Sequence, residues 1–251
     1  MGALLGDLVI VIVTGAMLGK LVAESGAAQR IAGFLMRLFG EKYITWAMAF
    51  TGLIVGIPLF YNVGFVLLVP LAFTVSYQYR LPAVYVGMPL LAALSVTHGF
   101  LPPHPSPAAL VAQFGANMGL TLLYGFIIAI PTIIIAGPLF APLLKRIHSQ
   151  PLKTFQVDPK PESELPGIGN SLFTALLPVL LLIGTTVLNF SIPKEDPLSP
   201  LVTFIADPGI VMLVSLFYAT FSLGLKRNQT MTQLMEVYTA ATKDISMILL
   251  I

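Results

Sequence analysis

Four prolines within six residues, Pro102, Pro103, Pro105 and Pro107, stand in a chain that is largely hydrocarbon on either side of them. No helix runs straight through such a cluster, because each proline lacks the amide donor and its ring collides with the carbonyl four residues back. In lipid every backbone polar group needs a partner, so irregular backbone survives at membrane depth only where protein buries it or where it lines a polar cavity. The stretch Ala93–Pro107 also carries Ser95, Thr97, His98, His104 and Ser106. Broken backbone and hydrogen-bonding side chains therefore coincide, and solute-binding membrane proteins use such discontinuities as sites.

Composition places the chain in a bilayer. It is 57% hydrophobic and 10% charged, against roughly 25% charged residues in soluble domains, and its mean hydropathy is +0.91. Its apolar runs reach the roughly 18–20 residues that span a hydrocarbon core. The expected class is an all-α polytopic membrane protein. A net charge of +2, spread over short loops, gives no patch for nucleic acid. The absence of cysteine excludes disulfides and thiolate chemistry. There is no HExxH pair, no phosphate-binding glycine loop and no paired-aspartate motif, so the chain offers binding groups rather than a reaction centre, and no metal or cofactor is expected.

Hydrophobic periodicity divides the chain into three parts. Residues 1–144 form a first bundle. It holds a span from Leu4 to Val22 with Asp7 near its start, and an amphipathic helix Ala27–Phe39 with Ile31, Phe34, Leu35 and Leu38 on one face, stopped by Gly40. Tyr43–Tyr79 is too long for one span and breaks at Pro58–Gly64, giving two spans or half-helices. Leu81–Thr97 leads into the proline cluster, Ala108–Met118 is read as the return arm of a re-entrant hairpin around 93–118, and Gly119–Leu144 crosses. Residues 145–169 form a hydrophilic, flexible cytoplasmic loop. Residues 170–251 hold a span over Ser171–Asn189, an apolar stretch Leu201–Leu225 broken at Asp207–Gly209 with Asp207 as a cap, and an amphipathic helix opened by a Thr230/Gln233 capping box with Met231, Leu234, Met235 and Tyr238 as its stripe. The basic segments 20–42, 145–160 and 226–243 should share the cytoplasmic side, which requires an even number of crossings between them. The closing run Ile245–Ile251 reads as a hydrophobic segment cut short, so the chain is expected to be part of a longer protein.

His98 and His104 are the candidate functional histidines, since ionisable groups at membrane depth are costly and imidazole changes charge near neutral pH. Satisfying carbonyls freed by the prolines is the competing role. Ser95, Thr97 and Ser106 can donate to a carboxylate or accept from a hydroxyl, although such groups also serve helix packing. Asn62, at the earlier break, can pair with a polyol or with a neighbouring helix.

Four segments in order, Gly15–Lys20 with Ser25–Ile31, Phe60–Val66, Leu94–Pro107 and Ala129–Pro138, resemble the gluconate permease family of proton symporters. One departure is Ser106, where the family's signature often has glycine between the two prolines. The resemblance implies an inverted-repeat transporter with broken helices and a re-entrant hairpin, of which mainly the first repeat is present. It implies import of gluconate or a related sugar acid with protons across the bacterial cytoplasmic (inner) membrane. Ser95, Thr97, His98, His104, Ser106 and Asn62 would contact substrate, with His98 the first choice for proton coupling. The implied partners are sugar acid, protons and the lipid bilayer, with homo-oligomerisation open. Two other readings are a symporter for a different organic anion and a non-transporting membrane sensor or assembly subunit.

Overall fold

The computed structural model describes residues 2–149, 160–193 and 195–249, and these fold into helices without a strand. The Asp7 side chain and residues 150–159 of the expected loop lie outside the described residues. Helix α1 (Gly2–Glu24) turns at Gly26, which takes φ +82, and bends by 61° into α2 (Ala27–Phe39). Ala27, Ala28, Ile31, Ala32 and Leu35 of α2 are buried, and Gly40 stops the helix as expected, but Leu38 is exposed rather than part of the packed face.

The break expected at Pro58–Gly64 separates the next two helices. α3 (Ile44–Gly56) has 13 residues, about 20 Å of rise, too short to cross about 30 Å of hydrocarbon. It turns at Ile57–Phe60 into α4 (Tyr61–Tyr79), which turns again at Arg80 into α5 (Ala83–Phe100). Gly52 lies against Leu90 and Gly56 against Thr97, so α3 runs parallel to α5, whereas Gly64 lies against Leu94 after the turn, so α4 runs back. Helices α3 and α4 thus form a helical hairpin that enters and leaves at the Ala83 end of α5, with its tip at Ile57–Phe60.

The expected hairpin around 93–118 is instead a broken span. α6 (Pro105–Gln113) prolongs α5, and Ala83–Gln113 together are long and apolar enough to cross. A nine-residue helix cannot cross by itself, which made Ala108–Met118 look like a return arm. Added to the 18 residues of α5 it completes a crossing. The chain returns through α7 (Met118–Ile134), a π-turn at Ile135–Leu139 and α8 (Ala141–Leu144), together long enough to span. Gly125 meets the Phe100 carbonyl and Gly137 meets Pro89, which makes this return antiparallel. α4, Ala83–Gln113 and Met118–Leu144 are each long and apolar enough to cross.

The second part contains α9 (Ile168–Ser191), the short α10 (Ser199–Ile205), α11 (Pro208–Ala219) carried on to Arg227 by two further turns, and α12 (Met231–Leu249). Asp207 caps α11 by accepting from the amides of Gly209 and Ile210 at 2.8 and 3.2 Å, and Thr230 and Gln233 close the predicted capping box. The stripe of α12 is shifted. Leu234, Tyr238, Ala241 and Ile245 are buried, Ala241 and Ile245 in a cluster with Ile12 and Ala16 of α1, while Met231 and Met235 are exposed. Lys20 of α1 pairs with Asp244 of α12 at 3.0 Å.

The described part of the 145–169 loop is held rather than free. Gln29 and the Lys160 backbone exchange hydrogen bonds at 2.9 and 3.1 Å, Arg30 donates to the Pro166 carbonyl, and Arg227 donates to the Glu164 carbonyl. Three basic segments therefore meet on one face, as the charge rule requires. Arg37 donates to Glu162 at 2.6 Å, and that hydrogen bond, helped by the charges of Arg37 and Arg30, holds the Glu162 carboxyl below its usual range. A lowered folded-state value means the contact contributes fully above the ordinary carboxylate pKa, about 4.3, and is lost only as pH falls through the lower value. Spin labels on Gly33→Cys and Ser163→Cys are expected to keep a narrow distance distribution through that ordinary range and to broaden only below it.

Candidate functional site

The hairpin tip and the broken span meet. The chain leaves the helical path before the extended Phe60, whose amide would have been the partner, so the Gly56 carbonyl loses its helical bond where α3 ends. His104, in the break of the other element, replaces that partner: its Nε2 lies 2.9 Å from the Gly56 oxygen. The break needs few further partners, because Pro102, Pro103, Pro105 and Pro107 have no amide to satisfy, the Leu101 amide bonds to Thr97 and the His104 amide bonds to Leu101. The Pro102–Pro103 peptide is cis.

His98 lies on the last turn of α5 beside His104. Their Nδ1 atoms are 3.3 Å apart. Phe60 packs edge-on to both rings at 6.2 and 6.0 Å, and Tyr61 lies 6.3 Å from His98. His104 is 3% exposed, and both of its ring nitrogens are engaged. Behind it the wall is closed by Gly15, Pro58, Pro103, Pro178 and Met212, around a void of about 10 Å³, roughly the room for one water. His98 is the more exposed ring of the pair.

Other polar side chains of these elements are uncommitted. Asn62, Ser95 and Ser106 are exposed, and none of their side chains makes a hydrogen bond among the described residues. His98 is half-buried and its Nε2 likewise has no partner there. Thr97 differs: it is fully buried and its hydroxyl donates to the Ala93 and Leu94 carbonyls at 2.9 Å. The structure thus brings His98 and His104 into contact, leaves Asn62, Ser95 and Ser106 open at the two breaks, and commits Thr97 to its own helix.

Sequence reasoning missed Gly56 and Phe60. The available signal was Gly52-x-x-x-Gly56 just ahead of Pro58, a small-residue spacing that lets two membrane helices approach closely. Replacing His104 with leucine leaves the buried Gly56 carbonyl without a donor and is expected to cost about 1–3 kcal/mol. Thermal unfolding in detergent reads the loss, and His104→Gln, which keeps a donor, should recover part of it.

The description "GntP family permease" matches residues 1–251. The chain belongs to this permease family. Two relatives from Escherichia coli (strain K12), the "Gnt-II system L-idonate transporter" and a "High-affinity gluconate transporter", are each 45% identical over all of this chain and 57% of their own length. A "Gluconate permease" of Bacillus subtilis (strain 168) is 41% identical over all of this chain and 58% of its own. The chain therefore spans little more than half the length of these relatives. No solved structure matches it. Five helices among the described residues are long and apolar enough to cross a membrane, or six if the bent pair is one span, as a multi-pass membrane permease requires.

Proposed function

We propose that the protein containing this chain is a secondary active transporter that imports gluconate or a related sugar acid with protons, and that the paired breaks supply one half of its binding site inside the lipid slab. The observation that carries the proposal is the contact between buried His104 and half-buried His98 where two interrupted membrane elements meet, on helices that also carry open amide and hydroxyl groups. A polyhydroxy carboxylate needs such a mixture: donors for its carboxylate, and amide or hydroxyl groups that both give and accept for its chain of hydroxyls. The names of the relatives, gluconate and L-idonate carriers, support the same substrate class. His98 is the group we assign to the proton, because it is the one histidine of the pair with an open nitrogen. Asn62, Ser95 and Ser106 are assigned to the solute. Thr97 and His104 take supporting places through the backbone contacts above. Rocking of one bundle against another would alternate access to such a site.

Uptake of labelled gluconate into cells expressing the complete protein tests this reading. Accumulation above the external concentration that collapses with a protonophore is expected. Uptake that only equilibrates, or that ignores the protonophore, contradicts proton symport. Competition by a panel of sugar acids and dicarboxylates then fixes the cargo, and failure to take up any member of the panel would favour the sensor or assembly-subunit reading.

A further inference from the structure

The hydrogen bonds around the histidine pair determine where its protons sit. A carbonyl oxygen only accepts, so the 2.9 Å contact to Gly56 requires His104 to carry a hydrogen on Nε2. In a neutral imidazole the other nitrogen is then bare, so His104 Nδ1 is an acceptor. It faces His98 Nδ1 at 3.3 Å, and a contact between two ring nitrogens holds only if one of them donates. His98 must therefore carry its hydrogen on Nδ1. Its Nε2 is left as a bare lone pair with no hydrogen-bond partner among the described residues.

We infer that His104 is a positioning residue that fixes the tautomer of His98, and that this makes proton binding a precondition for holding the carboxylate of the solute. The inference rests on the proposed symport and specifies how its site is regulated. In the neutral pair the open nitrogen is a lone pair, which accepts from a sugar hydroxyl but repels a carboxylate. When a proton from water adds to that lone pair, no other bond changes: His98 still donates from Nδ1 to His104, His104 still donates to Gly56, and Nε2 becomes a charged donor suited to an anion. Release of the proton to water restores the lone pair and ejects the carboxylate. Anion affinity and protonation are thus linked through one atom. Among the described residues, the titratable groups in ring contact with His98 are His104 and Tyr61 of α4. The remaining ring neighbour of both histidines is Phe60, at the hairpin tip.

Two measurements on the full-length protein test the inference. With 15N-labelled histidine at high pH, the ring signals are expected to show His104 protonated at Nε2 and His98 at Nδ1. The opposite assignment for either ring overturns the inference and leaves the transport reading standing. For wild type, gluconate binding should weaken about tenfold per pH unit above the titration midpoint, as linkage to one proton requires. In His98→Gln the amide offers a permanent donor, so binding should persist with no more than a twofold change across the same range, while accumulation against a gradient is lost. A His98→Gln protein that keeps the tenfold dependence refutes the assignment of the proton to this atom. Absence of gluconate binding in both wild type and variant refutes the underlying symport reading instead.

Discussion

In the complete protein, His98→Ala is expected to abolish accumulation of gluconate against its gradient, with uptake falling at least a hundredfold while the protein still reaches the membrane. The expectation follows from the position of the ring. His98 is half-buried at the mouth of the pair, its Nδ1 is bound to His104, and its other nitrogen is the open one. Alanine removes the group assigned to the proton and, with it, the charged donor assigned to the carboxylate. It removes little structural support, since the buried carbonyl of Gly56 is held by His104 and not by His98. Transport into vesicles with an imposed pH gradient reads the outcome. Accumulation with an unchanged pH dependence would take His98 out of the coupling role.

The second large effect concerns the seam on which the site is built. A Cβ at Gly52 would lie 2.5 Å from the Leu90 carbonyl oxygen and 2.8 Å from Ala93 Cβ, so Gly52→Val cannot be absorbed by turning a side chain. α3 would have to lift from α5. Overpacking against flexible side chains costs about 1–3 kcal/mol, and collision with backbone costs more, in a fold whose whole stability is of the order of 5–15 kcal/mol. Loss of the monodisperse folded peak in detergent is expected, whereas Gly87→Ala on α5, with open space around it, should elute as wild type. At Gly56 the nearest obstacle is the Thr97 hydroxyl at 2.5 Å, a side chain able to rotate. Gly56→Ala should therefore fold but displace the carbonyl that His104 holds.

The break in the span was legible in the residues, but the path of the chain through it was not. Prolines 102, 103, 105 and 107 announce a break wherever the chain goes next, because losing amides has the same consequence in a hairpin as in an interrupted span. Direction is set by what packs alongside: Gly52 and Gly56 bring α3 parallel to α5, and Gly125 and Gly137 bring the return helix against it in the opposite sense. These contacts join residues far apart in sequence, and hydropathy carries no trace of them. The same holds for α12. Two stripes fit its helical period, one through Met231 and Met235 and one through Leu234, Tyr238, Ala241 and Ile245, and contact with α1 selects the second. Local chemistry was easier to read. The Asp207 cap, the Thr230/Gln233 box and the Gly40 stop each depend on a few neighbouring residues, and each forms where the sequence places it. For the histidines, the sequence supplied two side chains of the same kind, and the Gly56 carbonyl separated their roles.

Cysteine accessibility at Ser95, in the complete protein embedded in membrane, tests most directly whether the two breaks form a solute site within the lipid slab. Ser95→Cys is expected to react with a small, charged, water-soluble thiol reagent and to be protected by gluconate, as a pocket wetted by solvent and occupied by the solute requires. A cysteine there that never reacts, or that reacts at the same rate with and without saturating sugar acid, would contradict the account.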